Sequence, residues 1–334
     1  MLDEIPEKID KILVVNLFEL EDIIFTIPML ENLKKNCDQA QIDMVGKERY
    51  QKIKESLDIV DNYYPYDESM SLVEKYKFAK RLATEEYDLG ISVDDLFSSA
   101  LFMKLVGPKY TAGYDGGVKS ILFDHLFVKN ESVHMVDMYL HFLEEIGIEN
   151  VKYNAPKMSV SENKLGVIDR FLAAQDVESS DKLVGINVST RGNKLKTWNK
   201  EGFAKLADTI IEDYGAKIIY YSAPEDVSII KEVIGLMEHD ALIAGGEIAL
   251  EYLPALAKRC QLFISGDSGE IHVASAVGTK TITLFGPTDP KRFKPYAKQA
   301  KVVKRSFGCR DDEEGNVVCA EGIGVEDILE KVEL

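Results

Sequence analysis

The 334-residue chain holds no apolar run near the ~18 residues that a membrane-spanning helix needs, so no such helix is expected. Its first ten residues, MLDEIPEKID, are acidic and polar, without the basic start and apolar centre of a secretory leader. Cysteine is scarce. Cys37, Cys260, Cys309 and Cys319 are too few and too scattered for a disulfide framework, and a reducing cytoplasm fits them best. Cys309 and Cys319 flank the acidic DDEEGNVV with no histidine beside them, so no metal site is expected there. A glycine-rich dinucleotide fingerprint is also missing: the first apolar run, ILVVN at 12–16, leads into NLFELED and not into G-x-G-x-x-G. Positive charge is in deficit, with a net charge of −17, which excludes a general nucleic-acid binder.

The charge that is present is unevenly spread. Residues 1–160 sum to about −11, whereas 291–310 carry eight Lys or Arg and no acid, and Arg191–Lys200 carry four. Both basic runs are either solvated loops or faces turned to something anionic. Short apolar runs alternate with helical patterns along the chain. Strands are expected at 12–16, 41–45, 59–64 and 89–93, with helices near 23–36, 48–57, 69–84, 96–105 and 132–147. A break at 150–165 reads as a linker, after which strands at 183–189, 218–222, 261–265 and 281–285 alternate with helices at 200–213, 225–237, 249–258 and 270–277. A last helix covers about 325–333. Strand–helix alternation implies parallel sheets, so the expected fold is α/β. It comprises two doubly wound, Rossmann-like domains, 1–160 and 161–334, facing a central cleft, with the last helix free to pack back on the first domain.

One stretch, ISGDSGEIHVASAVGTKTITLFGPTDP at 264–290, sets Asp, Ser, Gly and His at the mouth of a short helix between two buried strands. Asp267-Ser-Gly-Glu270 has the spacing of a capping box, with Asp267 as the N-cap. The same helix start offers free amides to an anion. Gly269 allows close backbone approach, Ser268 adds a hydroxyl and His272 can donate to a phosphate oxygen. Asp267 would repel phosphate, so it is expected to hold a hydroxyl or cap amides. A nucleoside diphosphate with a ribose satisfies both demands. After the 183–189 strand, Ser189, Thr190, Lys194 and Lys196 could reach a diphosphate, or form a surface loop ahead of a core Trp198. Glu225 either starts a helix or accepts from a sugar hydroxyl. Asp22, at the end of the first strand, suits an N-cap or a general base.

These segments resemble glycosyltransferase family 9, the ADP-heptose:lipopolysaccharide heptosyltransferase family of GT-B fold. SGDSGEIHVASAVGTKTITLFGPTDP is similar to the family's D-[TS]-G-x-x-H-x-A-x-A-x-G followed by a strand and F-G-P-T-D-P. ILVVNLFELEDIIFTIPML resembles its first strand, L-G-D turn and T-x-P helix, which accounts for Pro28 inside a helical pattern. NVSTRGNKLKTW resembles its segment ending in a basic residue, one spacer and Trp. Weaker similarity runs through YDLGISVDDLFSSAL, TAGYD and HMVDMYLHFLEEIGI.

The resemblance implies an inverting transfer of a heptose or related sugar from an ADP-sugar to a lipopolysaccharide-core or other glycan. Asp22 would be the catalytic base and Lys196 the cation at the leaving diphosphate. Asp267, Ser268, Gly269 and His272 would form the donor site, with Ser189, Thr190 and Glu225 contributing. Spacing to Trp198 selects Lys196, and spacing to Thr190 favours Lys194. No Asp-x-Asp stands in the chain to hold a divalent ion, so no cofactor or metal is expected. The implied partners are the nucleotide sugar and a lipid-linked or phosphorylated glycan, with peripheral contact at the cytoplasmic face of the inner membrane left open. Glu21 departs from the family, which has Gly there. A positive φ at Glu21 would strain the turn by about 1–3 kcal/mol, and its charge would raise the pKa of Asp22. Glu21 therefore keeps a non-catalytic sugar-nucleotide binder in play, beside a GT-B enzyme using another nucleotide sugar, such as a UDP-sugar transferase or epimerase.

Overall fold

The computed structural model describes residues 8–188, 198–304, 310–311, 317–318 and 322–334. The chain divides into two compact units, Met1–Pro156 and Lys157–Leu334.

In the first unit the elements run β1 (Lys11–Asn16), α1 (Leu20–Asn36), β2 (Gln41–Lys47), β3 (Asn62–Tyr66), α2 (Leu72–Ala83), β4 (Leu89–Ser92), α3 (Phe97–Val106), β5 (Tyr110–Tyr114), β6 (His125–Phe127) and α4 (Met135–Glu145). The strands form one parallel sheet in the order β3-β2-β1-β4-β5-β6. The apolar run ILVV is buried along its whole length, as befits a central parallel strand covered on both faces. The second unit runs α5 (Glu162–Ala173), β7 (Leu183–Asn187), α6 (Lys200–Tyr214), β8 (Lys217–Tyr221), α7 (Val227–Ile234), β9 (Leu242–Ile243), α8 (Leu253–Arg259), β10 (Leu262–Gly266), α9 (Gly269–Ala276), β11 (Lys280–Phe285), α10 (Pro290–Phe293), β12 (Ala300–Lys304), a short antiparallel pair β13 (Arg310–Asp311) and β14 (Val317–Val318), and α11 (Val325–Leu329). Its parallel sheet is ordered β12-β11-β10-β7-β8-β9. Read from the other edge, that is the topology of the first unit. The strand order reverses between β1 and β4 in one unit and between β7 and β10 in the other. Such switch points leave a crevice at the strands' carboxyl ends, where ligands of doubly wound sheets bind.

Several elements differ from the sequence expectation. The segment Glu48–Ser56 winds as 3-10 turns and not as an α-helix. β3 starts later than expected and includes Pro65, which an edge strand tolerates because one side needs no donor. β5, β6, β9 and β12 were not foreseen; β6 and β9 are edge strands of three and two residues whose apolar signal is weak. The assumed linker already contains the start of α5, capped by the Ser161 hydroxyl. α11 turns Val325 and Ile328 into the core of its own unit and packs on α6. No helix among the described residues is long and apolar enough to cross a membrane.

Candidate active site

The β1–α1 connection is built around two carboxylates. Asp94, just past β4, is buried and accepts hydrogen bonds from Leu17 N–H (2.9 Å), Leu96 N–H (3.1 Å) and the Ser99 hydroxyl (2.9 Å). It thereby ties the chain leaving β1 to the chain leaving β4 at the switch point. Asn16 Oδ1 adds a bond from Phe18 N–H at 3.2 Å. Helix α1 then begins at Leu20, which places Asp22 in the third helical position and Glu19 at the N-cap. The N-cap reading of Asp22 is therefore corrected: its Oδ2 reaches back to accept from Glu19 N–H at 3.3 Å. Glu19 itself is held by Lys47 Nζ at 2.7 Å, by Arg49 and by the Tyr50 hydroxyl.

Asp22 keeps some accessible surface, yet protein packs closely around its carboxyl. Burial pushes its pKa up to about 8, and the neighbouring charges of Glu21 and Glu19 add to the rise. The Glu19 amide and the Tyr139 hydroxyl, 3.5 Å from Oδ1, pull the other way without prevailing. A helix N-terminus ordinarily favours a carboxylate, so desolvation outweighs the dipole here. Tyr139 is fully buried on α4, whose start is capped by His134 Nδ1 accepting from Val136 N–H at 3.1 Å. His134 thus serves as the N-cap of α4. Glu21 lies inside α1 and is absent from the residues with positive φ, so the expected backbone strain does not exist. The like-charge effect on Asp22 does.

In the second unit a polar row crosses three strands. Asn187 on β7, Ser265 on β10 and Thr283 on β11 are register partners, all buried. Asn187 Nδ2 donates to Ser265 Oγ (3.0 Å) and to Ser268 Oγ (3.2 Å), and the two serine hydroxyls are 3.0 Å apart. This network anchors the start of α9. Ser268, not Asp267, has the N-cap position, so the predicted capping box is corrected. Asp267 Oδ2 instead accepts from the Thr288 hydroxyl at 2.7 Å, fastening the helix start to the GPTDP turn after β11. His272 Nε2 lies 4.0 Å from Asp267 Oδ1, and Asp267, Ser268, Glu270 and His272 are all buried. Gly278, at φ +92°, stops the segment after α9 in a backbone conformation that a side chain would strain.

The donor candidates Asp267, Ser268, Gly269 and His272 are thus brought together at the end of β10. Glu225 stands exposed in the turn after β8, the strand beside β7. Ser189, Thr190, Lys194 and Lys196 lie outside the described residues, as do Cys309 and Cys319. Trp198 is a core residue, with Nε1 donating to the Ile323 carbonyl at 3.0 Å and its ring edge-on to Phe203. In the basic run, Lys301 pairs with Glu333 at 2.5 Å and Lys304 donates to the Thr288 carbonyl at 3.2 Å, so two of its charges are already engaged. Sequence reasoning passed over Asn187, Ser265, Thr288, Asp94 and Tyr139. Polar residues closing apolar strands, as in GINV and LFIS, were the signal for the first two; nothing local marked Tyr139.

Two Rossmann-like units in one chain, each gathering polar groups at its switch point, make the architecture of a GT-B enzyme. The model of glycosyltransferase family 9 (heptosyltransferase) matches residues 75–318, and the chain belongs to that family: it is a glycosyltransferase. It is 27% identical over 290 residues to lipopolysaccharide heptosyltransferase 3 of Escherichia coli K12, covering 83% of each chain. Among solved structures it is similar to a family 9 glycosyltransferase from Veillonella parvula, with TM-score 0.90, 24% identity and 98% of both chains covered. It is also similar to the ADP-heptose lps heptosyltransferase II of E. coli, with TM-score 0.82, 22% identity and 96% and 97% of the two chains covered.

Proposed function

We propose that this protein transfers a heptose, with inversion, from ADP-heptose to a hydroxyl of a lipopolysaccharide-core glycan on the cytoplasmic side of the inner membrane. The observation that carries the chemistry is Asp22, a crowded carboxylate at a switch point whose pKa is lifted to about 8. A base is most effective when its pKa lies near the working pH. The acceptor oxygen attacks the anomeric carbon, its proton passes to Asp22, and the bond from that carbon to the diphosphate oxygen breaks. Negative charge then builds on the departing ADP. His272 and the amides at 268–270 are suited to stabilise it, and Lys196 or Lys194 would supply the cation. Asp267 would hold a ribose hydroxyl. The names of the relatives support the heptose and the glycan. With Glu21 in ordinary helical geometry, the main argument for a non-catalytic relative falls away.

Thermal melting in the presence of ADP, UDP and GDP tests the donor, because a ligand of the native state raises apparent stability. ADP should shift the transition most. A shift with UDP and none with ADP would remove the adenine assignment and favour a UDP-sugar enzyme.

A further inference from the structure

Large apolar side chains are exposed together on one side of the first unit. On α2 these are Leu72 (84% exposed), Val73 and Tyr76; on α3, Phe97 and Leu101; and in the 3-10 turn at Gly117–Leu122, Ile121 (79% exposed). Single exposed apolar residues need no explanation, but a group on adjoining elements does. α2 packs against α3, and α3 packs against that turn. Their inner residues, Phe78, Leu82, Ala100 and Met103, share one core cluster with β1, so the opposite faces point away from the sheet. Helical spacing then sets Leu72, Tyr76 and Lys80 on one exposed stripe of α2, with Val73 and Lys77 beside it, and Phe97, Leu101 and Lys104 on one stripe of α3.

The charge of this face runs against that of the unit. Helix α2 carries Lys75, Lys77, Lys80 and Arg81 against Glu74 alone, and α3 and the turn contain no acid. Lys77, Lys80, Arg81 and Lys104 make no ion pair among the described residues, whereas Glu74 is occupied by the Ser71 amide and hydroxyl at the helix start. Residues 1–160 as a whole sum to about −11, so basic residues are concentrated where apolar ones are bared. Apolar side chains interleaved with cations that carry no ion pair, of which Lys80 lies over the Tyr76 ring and Arg81 over the Phe78 ring, match an anionic lipid surface, which takes the former below its headgroups and attracts the latter. A neutral protein partner would have no use for the charges.

We propose that the outward face of α2, α3 and the Gly117–Leu122 turn docks on an anionic phospholipid bilayer. This deepens the reading above, in which the acceptor is a lipopolysaccharide-core glycan at the inner membrane, and rests on it.

Flotation of the whole chain with phosphatidylcholine vesicles, with and without phosphatidylglycerol, tests it. The wild type should float with the anionic vesicles only and lose binding as salt screens the charges. Leu72→Glu with Ile121→Glu, and separately Lys77→Glu with Lys80→Glu, should each weaken binding about tenfold or more. Lys298→Gln should leave it unchanged. Tyr76→Trp should be quenched by brominated lipid while the buried Trp198 is not. Melting curves establish that the exposed substitutions leave the fold intact. Failure of the wild type to float at low salt, equal binding by the variants, or a sedimenting dimer that the variants dissolve would overturn the proposal. Transfer to a soluble, delipidated acceptor is measured in parallel. Vesicle binding without transfer would leave the docking face standing and remove the proposed transfer to a lipopolysaccharide-core glycan.

Discussion

The Tyr139 hydroxyl donates to Asp22 Oδ1 from 3.5 Å, a buried phenol on α4 aimed at a carboxylate of α1 whose pKa rises to about 8. The contact steadies the ionised form of Asp22 and opposes the burial that disfavours it. Tyr139→Phe removes that support. The ascending limb of the kcat–pH profile should then move to higher pH, with donor affinity unchanged. An unmoved profile would mean that Tyr139 serves packing alone.

Asp22→Asn tests the base directly. Turnover should fall by roughly 10²–10⁴ while ADP still shifts the melting transition. In the wild type, kcat should rise with pH up to about 8, because only the ionised carboxylate accepts the proton. Equal loss of turnover and ADP binding in the Asn variant would show a structural role.

The same carboxyl makes a stability prediction of definite sign. Its folded pKa lies above the unfolded value near ~4, so between those two pH values the native state holds a proton that the unfolded chain has lost. Stability from this group is therefore present at low pH and falls as pH rises towards about 8. Asn does not titrate. The melting temperature of Asp22→Asn relative to wild type should climb across that window and level off above it. A flat difference would mean that burial does not perturb Asp22.

Much of this was legible in the sequence, for reasons that differ by element. ILVV and LFIS announce buried parallel strands because both faces are covered, and Gly278 marks its helix end through its φ. The GDSGEIH stretch points to the proposed donor site because its residues are contiguous. Caps were misplaced at both sites, by one residue at Ser268 and by three at Glu19, since several oxygens near each helix start could serve. The Asn187–Ser265–Ser268 network and the Tyr139–Asp22 contact join residues distant along the chain, and only the sheet register and the α1–α4 packing bring them together.

Glu21→Gly separates two effects that the sequence left mixed. Because Glu21 is helical, glycine relieves nothing and should destabilise the protein by about 0.5–1 kcal/mol. It also removes the second-largest cause of the raised Asp22 pKa, so the kcat–pH limb should move to lower pH. Wild type should be active beside it. Activity confined to the Gly variant would restore the binding-only reading.

Thr288→Val probes the donor side with a near-isosteric change. The hydroxyl is 2.7 Å from Asp267 Oδ2, and its loss leaves a buried carboxylate oxygen short of one donor. A hydrogen bond to a charged group contributes about 1.5–3 kcal/mol, so melting should fall measurably. If Asp267 is held there to meet a ribose hydroxyl, freeing it from the GPTDP turn should also shrink the ADP-induced shift by more than the change in stability explains. Asp267→Asn should keep an acceptor for Thr288 while weakening ADP in the same way. Loss of stability with ADP affinity intact in both variants would make the Thr288–Asp267 bond a fastener of α9 and take Asp267 out of the donor site.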